Sequence, residues 1–151
     1  MAKSIFETPL GRVVAVADDK GICSLDFDEV VPLLHEENRH LIQLEKELLE
    51  YFIGERKTFD VCLNPHGTPF QRAAWRILCD IPYGSVISYT QEAQMLSHPK
   101  AVRAVANANG KNPIPIIIPC HRVIAKGGGI GGYSGGIWRK EFMLELERNN
   151  R

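Results

Sequence analysis

The sequence predicts a mixed α/β chain of the α+β type, with a small N-terminal antiparallel sheet covered by a helix and a mostly helical C-terminal domain. Two patterns support this prediction. Residues 3–8, 12–17 and 22–27 are short runs rich in Ile, Phe, Val and Leu, and turn signals separate them. After residue 67 the strand pattern gives way to helix-capping signals. No apolar run approaches the length of a membrane span, so we expect no membrane partner.

A helix over residues 38–52 is predicted to cover the sheet. Its apolar residues recur at the three- and four-residue spacing of one helix face, at Leu41, Leu44, Leu48 and Phe52. Gly54 provides a stop signal. Residues 59–63 could add a strand, and the following Asn-Pro-His-Gly at 64–67 suits a linker.

The formal net charge of zero is a cancellation between two parts of the chain. Residues 1–67 hold 7 basic and 13 acidic side chains, whereas residues 68–140 hold 9 basic and 2 acidic ones. This asymmetry excludes a uniformly neutral surface and favours a polyanion as the partner of the second part. We place a domain boundary at the linker, with an α/β scaffold domain over 1–66 and a second domain, which would face the polyanion, over 67–151.

Three helices are predicted at the start of the C-terminal domain. Residues 68–79 begin at Thr68-Pro69, residues 88–96 begin at the capping box Ser88-Tyr89-Thr90-Gln91, and residues 99–109 begin at Pro99 and stop at Gly110. The second and third have the outline of a helix-turn-helix. Since helical hairpins are also common as purely structural units, both interpretations stay open.

The third of these helices is lined by alanines, and Lys100 and Arg103 are its only charges. Small side chains let a helix approach another surface closely, whether a protein core or a narrow groove. Tight internal packing would explain the alanines. It would not explain Arg103, which lies among them and would need a partner if it were buried.

Cys120 is the candidate nucleophile among four widely spaced cysteines. The apolar run at 114–118 predicts a buried extended segment that delivers this thiol beside His121 and Arg122. Cationic neighbours stabilise a thiolate, which is the reactive form of cysteine. The other three, Cys23, Cys62 and Cys79, are expected to be inert packing residues.

The loop at 127–136 holds seven of the 13 glycines. It matches a dinucleotide-binding pattern formally, but the helix and acidic residue that such a site needs do not follow it. We therefore expect the glycines to permit tight turns and close approach to a ligand, with Tyr133 and Ser134 as the polar groups presented.

A last helix is predicted over residues 138–148, with Trp138, Phe142 and Leu146 on one stripe. Glu147 borders that stripe. It could be an ordinary surface carboxylate, or the third group that orients His121 in a triad-like arrangement.

The motifs around Cys120 resemble those of the O6-alkylguanine-DNA alkyltransferases, also called methylated-DNA–protein-cysteine methyltransferases. The matching runs are Asn112-Pro113-Ile114-Pro115-Ile116-Ile117-Ile118-Pro119-Cys120-His121-Arg122-Val123, Gly131-Gly132-Tyr133-Ser134-Gly135-Gly136, Thr68-Pro69-Phe70-Gln71, Ile81-Pro82-Tyr83-Gly84 and Ser88-Tyr89. They cover nearly all of residues 68–147. The N-terminal part shares only a compatible outline.

The resemblance implies DNA repair by direct reversal of damage. Cys120 would accept an alkyl group from O6 of guanine, or from O4 of thymine, in an irreversible single turnover. His121 would deprotonate Cys120 through a water, and Glu147 would orient His121. Tyr89 would rotate the phosphate or donate to the departing guanine, and Arg103 would fill the stack left by the flipped nucleotide.

The resemblance also assigns the remaining site residues. DNA contacts would come from Ser88, Tyr89, Lys100, Ala101 and Arg103. The substrate pocket would involve Asn112, Pro115, Val123, Gly131, Tyr133 and Ser134, with Asn112 holding the helix-turn-helix against the active-site turn. We expect a cytoplasmic monomer that acts on double-stranded DNA without a cofactor.

No metal site is expected. Some members of the family coordinate zinc in the N-terminal domain, but Cys23 is the only early cysteine here. His35, His40 and His66 show no ligand spacing with it.

Two other functions stay open from the residues alone. One is a non-enzymatic helix-turn-helix module that binds lesions or regulates. However, alkyltransferase-like proteins that bind without repairing carry tryptophan where this chain has Cys120. The other is a Cys-His hydrolase, although hydrolases usually bring their histidine from elsewhere in the chain.

Overall fold

The computed structural model describes residues 1–151, which form two compact units, Met1–His66 and Gly67–Arg151. None of the helices combines the length and apolar character needed to cross a membrane.

The first unit contains the expected antiparallel meander. Its strands are β1 (Ala2–Thr8), β2 (Gly11–Ala17) and β3 (Ile22–Phe27). A two-residue strand, β4 (Leu34–His35), pairs with the other edge of β1, which gives the order β3-β2-β1-β4. The sequence did not predict β4, because two residues are too few to carry an alternating pattern.

Helix α1 (Arg39–Phe52) packs against β1 and β2, as predicted. The Asn38 side chain caps it by accepting hydrogen bonds from the amides of His40 and Leu41. Leu41, Leu44 and Leu48 are buried as predicted, whereas Phe52, the last residue of the predicted face, is partly exposed. Their burial removes apolar surface from water and fixes the helix on the sheet.

The strand expected at 59–63 is absent. Only Leu63 forms an isolated bridge, to Ile22. The amides of Asp60 and Val61 instead donate to Oε1 of the buried Glu47, at 2.9 and 3.1 Å. This carboxylate satisfies backbone donors that a strand would have paired with a neighbour.

The second unit is mostly helical and begins with two capped helices. Both α2 (Pro69–Cys79) and α3 (Tyr89–Met95) open with a complete capping box, formed by Thr68 with Gln71 and by Ser88 with Gln91. Helix α4 (Val102–Gly110) packs against both. The remaining elements are β5 (Ile87–Ser88), which pairs in parallel with β6 (Val123–Ile124), and α5 (Ile137–Asn149).

Helix α4 begins three residues later than predicted. The amide of Ala101 donates to the carbonyl of His98 at 2.9 Å, so residues 98–101 form a turn with Pro99 at its second position. Proline suits that position as well as the first turn of a helix, and the sequence signal does not separate the two. Gly110 is the last residue of α4 rather than a stop after it.

The segment at 114–118 is buried as predicted, but it is a compact turn rather than an extended run. The amide of Ile118 donates to the carbonyl of Ile114 at 3.0 Å, and Ile116 has a left-handed φ of 76°. Asn112 holds both ends of this turn. Its Oδ1 accepts from the Ile114 amide at 2.9 Å, and its Nδ2 donates to the Ile118 carbonyl at 2.8 Å.

The buried face of α5 differs from the predicted stripe. Lys140, Met143 and Glu147 are buried, whereas Trp138 is 52% exposed and Phe142 is 39% exposed. The prediction failed because it followed apolar residues, while two of the buried residues, Lys140 and Glu147, are charged side chains that form hydrogen bonds inside the unit. Glu147 therefore lies within the buried face rather than at its border.

Candidate active site

A cavity of about 400 Å³ lies in the second unit, and Cys120 lines it. Tyr89 contributes from the first turn of α3. Ala106, Asn109 and Gly110 contribute from the end of α4, and Gly132, Tyr133 and Ser134 from the glycine-rich loop. The candidate nucleophile thus shares one cavity with the predicted helix-turn-helix and the glycine-rich loop.

The Cys120 thiol is protonated at rest. Cys120 begins a 3₁₀ turn (Cys120–Arg122) and is 8% exposed. Burial raises the pKa of its thiol to about 11, although a hydrogen bond with Asn112 and the charge of Lys140 oppose this rise. Burial therefore outweighs the stabilisation that a nearby cation gives the thiolate, and transfer at neutral pH requires a base.

Glu147 fixes the orientation of His121, the residue that follows Cys120 in the chain. His121 is 0% exposed, and its Nε2 lies 2.6 Å from Oε2 of Glu147. Burial raises the pKa of the Glu147 carboxyl, but hydrogen bonds and charges from His121 and Arg122 outweigh this and lower it to about 2. An ionised carboxylate only accepts hydrogen bonds, so Nε2 carries the ring proton.

The other ring nitrogen of His121 is therefore free to take a proton. Burial lowers the pKa of His121, which keeps the imidazole neutral. Its Nδ1 is buried and has no hydrogen-bond partner in the protein. A neutral imidazole with Nε2 bonded to a carboxylate and Nδ1 unoccupied is the arrangement of a general base.

Arg122 completes this network rather than facing the thiol. It donates to both oxygens of Glu147, from Nε at 2.8 Å and from Nη2 at 3.1 Å. Its Nη1 donates to the carbonyl of Ile81 at 2.7 Å. The amide of Gly84 also donates to Glu147, at 3.2 Å. The buried carboxylate is thus held rigidly and kept ionised.

Lys140 is a functional candidate that the sequence reasoning missed. It is 0% exposed, and its Nζ donates to the carbonyls of Val123 at 2.6 Å and Gly132 at 3.1 Å. Burial lowers its pKa to about 8, while the nearby Cys120 opposes this. Lys140 therefore fixes the glycine-rich loop and supplies positive charge near the thiol. In the sequence, the only indication of a buried position was that Lys140 lies two helical turns before Glu147, on the same face of the predicted helix.

The predicted DNA-contact residues of the helix-turn-helix differ in how far they are exposed to solvent. Arg103 and Lys100 are exposed, while Ala101 is partly exposed at the N-cap of α4. Ser88 caps α3. Val105 and Ala108 are buried on the opposite side of α4, and Trp75 donates to the Ala108 carbonyl at 2.9 Å. Arg103 thus lies on a free helix face rather than in the core.

Comparisons with known proteins match both units. The family described as "6-O-methylguanine DNA methyltransferase, DNA binding domain" matches residues 69–149, and its "ribonuclease-like domain" matches residues 1–65. The chain belongs to the 6-O-methylguanine DNA methyltransferase family.

Individual members of this family are similar over nearly the whole chain. A methylated-DNA–protein-cysteine methyltransferase of Methanosarcina barkeri is 42% identical, with 99% of each chain covered. A constitutive enzyme of that name from Bacillus subtilis is 43% identical, with 94% of this chain and 92% of its own length covered. A crystal structure of the Mycobacterium tuberculosis OGT in complex with DNA has a TM-score of 0.89 at 39% identity, covering 98% of this chain and 93% of that one.

Only two of the six residues that the family resemblance placed in the substrate pocket line the cavity, namely Tyr133 and Ser134. Asn112 and Pro115 belong to the turn before Cys120, and Val123 is buried in β6. Gly131 has a φ of +76°, and a Cβ there would lie 3.1 Å from the Tyr89 hydroxyl. These four residues do not line the cavity. The sequence reasoning did not assign Ala106, Asn109, Gly110 or Gly132 to the cavity.

Three possible metal ligands lie close together in the structure, although the sequence spacing of Cys23 and His66 indicated no metal site. Asp18, Cys23 and His66 each offer one ligand atom within 4.8 Å of the others. Three donors fall short of the four that structural zinc sites use in this chemistry. Moreover, the Asp18 oxygens already accept from the amides of Lys20 and Gly21 and from Asn64. The donor set does not fit a zinc site.

Proposed function

We propose that this protein repairs DNA by transferring an alkyl group from O6 of guanine to Sγ of its own Cys120. The observation that carries the proposal is a buried thiol in a cavity next to the His121–Glu147 pair. The adjacent helix face with Arg103 supplies the DNA-binding element. Family membership fits this assignment.

The proposed step is a single in-line displacement. The Cys120 proton passes through a bridging water to Nδ1 of His121, and the resulting thiolate attacks the alkyl carbon. The S–C bond forms as the C–O6 bond breaks. Guanine leaves and takes up, through water, the proton that His121 received, while the cavity-lining Tyr89 hydroxyl donates a hydrogen bond to it. The pKa of the Tyr89 hydroxyl is raised by burial, so this group stays protonated. The thioether product has no route back to a thiol.

The burial of Cys120 requires that the damaged nucleotide leave the helix. A base stacked in a duplex cannot bring its O6 substituent to a thiol that is only 8% exposed. The exposed part of α4 consists mainly of small side chains, which suits insertion into the minor groove. We include base flipping, minor-groove binding and a cytoplasmic location in the proposal. The four free cysteines suit a reducing compartment.

A stoichiometry experiment separates this function from its alternatives. We expect the wild-type protein, mixed with an excess of duplex DNA containing O6-methylguanine, to restore one guanine per protein molecule and then stop. Restored guanine is counted by chromatography of the digested DNA. Binding without restoration would support a lesion-binding module, and continued turnover would support a hydrolase. Either result would refute the proposal.

Replacing Arg103 with alanine should slow repair in duplex DNA by roughly 10-fold or more, because the flipped state loses a side chain that fills the vacated stack. Reaction with the free base O6-benzylguanine needs no flipping and should change less than 2-fold by the same reasoning. Both rates are measured in single-turnover assays. Lys111→Ala, which removes an exposed charge just beyond α4, is the matched control. Equal losses of Arg103→Ala on both substrates would rule out this role.

A further inference from the structure

A buried carboxyl group, that of Glu92, joins the two helices of the helix-turn-helix. Glu92 lies on α3 and is 0% exposed, and Asn109 lies on α4 and is 6% exposed. The Nδ2 of Asn109 donates to Oε1 of Glu92 at 2.7 Å. The transfer step described above uses neither side chain. Burying such a polar pair costs free energy unless each of its groups finds a partner.

One oxygen of each side chain is left without a donor. Oε2 of Glu92 and Oδ1 of Asn109 are both buried and have no hydrogen-bond partner in the protein. If Glu92 were ionised, both atoms would be acceptors, and neither could satisfy the other. A proton on Glu92 changes this, because a carboxylic acid donates through its hydroxyl and accepts through its other oxygen. An acid and a primary amide can then close a ring of two hydrogen bonds, whichever way the amide is turned.

The surroundings of Glu92 also favour its neutral form. The elements that pack against α3 are α2, α4, β5 and β6. Neither β5 nor β6 carries a titratable residue, and those of α2 and α4 are all exposed, namely Arg72, Arg76, Cys79 and Arg103. The buried cations Lys140 and Arg122 donate to other groups. Burial raises the pKa of the Glu92 carboxyl from 4.5 to about 7, and its one hydrogen bond opposes this rise only in part.

The charge of Glu92 matters for the cavity that holds Cys120. Tyr89 lies one helical turn before Glu92 on α3, and both Tyr89 and Asn109 line the cavity. A hydrogen-bonded ring between α3 and α4 therefore fixes these two cavity walls against each other. Ionisation of Glu92 would open the ring. It would also add a negative charge that raises the pKa values of the Cys120 thiol and the Tyr89 hydroxyl, and so opposes formation of the thiolate.

We propose that Glu92 is a positioning residue that works as a neutral acid, because its hydroxyl donates to Oδ1 of Asn109, joins α3 to α4 at the cavity and leaves Cys120 without a negative neighbour. This inference rests on the proposed transfer to Cys120 and adds a pH dependence to it. The stability that the ring contributes is fully present below about pH 4.5 and is lost as the pH rises through about 7. Its contribution to the transfer rate should be lost with it.

The test compares the pH dependence of the wild type with that of Glu92→Gln. Glutamine accepts from Nδ2 of Asn109 through its carbonyl and donates to Oδ1 through its NH₂ group, so it keeps the ring without a titrating proton. Single-turnover rates with O6-methylguanine in duplex DNA are measured from about pH 6 to about pH 8.5, and each rate is divided by that of the same protein at the lowest pH. Titrations that both proteins share, such as that of Lys140, cancel in this comparison.

We expect the normalised rate at the highest pH to be about 10-fold lower in the wild type than in Glu92→Gln. The reason is that the protonated fraction of Glu92 falls roughly tenfold for each unit above its pKa. Glu145→Gln, which removes an exposed carboxylate, should have the wild-type profile. If circular dichroism shows that Glu92→Gln is unfolded, Glu92→Leu/Asn109→Leu takes its place, since it also lacks the titrating group.

Infrared spectroscopy detects the proton directly. The carbonyl band of a protonated carboxylic acid should be present in the wild type at about pH 6 and absent in Glu92→Gln. Parallel rate profiles of these two proteins, or identical carbonyl bands, would overturn the inference. Failure of the wild type to react with O6-methylguanine at any pH would instead refute the proposed function, and the carbonyl band would still test the proton on Glu92.

Discussion

Replacing Glu147 with glutamine should slow alkyl transfer by roughly 10²- to 10⁴-fold, the range associated with loss of general-base catalysis. Glutamine keeps the shape of the side chain but carries one acceptor and one NH₂ group. It cannot accept simultaneously from His121 and in two places from Arg122, as Glu147 does. The imidazole would lose the partner that fixes its tautomer, and the thiol with its pKa of about 11 would keep its proton.

The control for this variant is Glu145→Gln, an exposed carboxylate on the same helix, which should leave the rate unchanged. Rates are measured in single turnovers with O6-methylguanine in duplex DNA, together with the affinity for DNA. Glu147→Gln should retain DNA binding, since the residue is 1% exposed and cannot contact DNA. A rate within a few-fold of the wild type would show that the His121–Glu147 pair does not activate the nucleophile.

The same residue should set the acid limit of stability. The pKa of Glu147 is lowered from 4.5 to about 2 in the folded protein, so the unfolded state binds the proton more tightly. Glu147 therefore stabilises the fold above about pH 4.5, and this contribution is lost as the pH falls towards 2. Urea unfolding of the wild type between these pH values measures the loss. In Glu147→Gln this part of the pH dependence should be absent.

Replacing Cys120 with serine should abolish transfer altogether. A hydroxyl is a far weaker acid than a thiol, and the neutral imidazole that deprotonates Cys120 has too little basicity to ionise it. The substitution removes little volume, so the fold and DNA binding should persist. The variant then becomes a protein that binds the lesion without repairing it.

The other cysteines provide matched controls for Cys120→Ser. Cys62 and Cys79 are exposed, which contradicts the expectation that they are packing residues. Neither lines the cavity. Cys62→Ser and Cys79→Ser should therefore transfer the methyl group at the wild-type rate, and a methylated form of the Cys120→Ser protein would mean that another residue is the acceptor.

Local signals in the sequence predicted much of the fold. Capping by Thr68 and Ser88 depends on residues within three positions of each helix start, and both predicted caps are present. The three-stranded meander followed from its short runs of Ile, Phe, Val and Leu and from the turn signals between them. The residues around Cys120 identified the nucleophile because a Pro-Cys-His-Arg run in this setting is specific.

Non-local pairing explains what the sequence did not reveal. Nothing in the sequence near residue 60 indicated that the amide of Asp60 would donate to the Glu47 carboxylate instead of pairing in a strand. Likewise, Glu92 and Asn109 are 17 positions apart and meet only because α3 packs on α4. The buried face of α5 was misassigned since its polar residues find partners elsewhere in the unit. The spacing of apolar residues does not predict that a polar side chain will be buried with its hydrogen bonds satisfied.

The charged residues at 68–140 include both buried and exposed side chains, which the sequence alone does not distinguish. Of the nine basic residues at 68–140, Arg122 and Lys140 are buried and serve the active site. The two acidic residues of the same segment include the buried Glu92. The basic character available to DNA is therefore smaller than the count suggests. Arg103 and Lys100 are among the exposed residues that remain.

Mass spectrometry of the protein after reaction tests most directly whether Cys120 accepts the alkyl group. The wild type is incubated with duplex DNA that carries an isotopically labelled methyl group on O6 of guanine, and its intact mass and peptide masses are measured. We expect one labelled methyl per molecule, on the peptide that contains Cys120. An unchanged mass, or a label on any other residue, would contradict it.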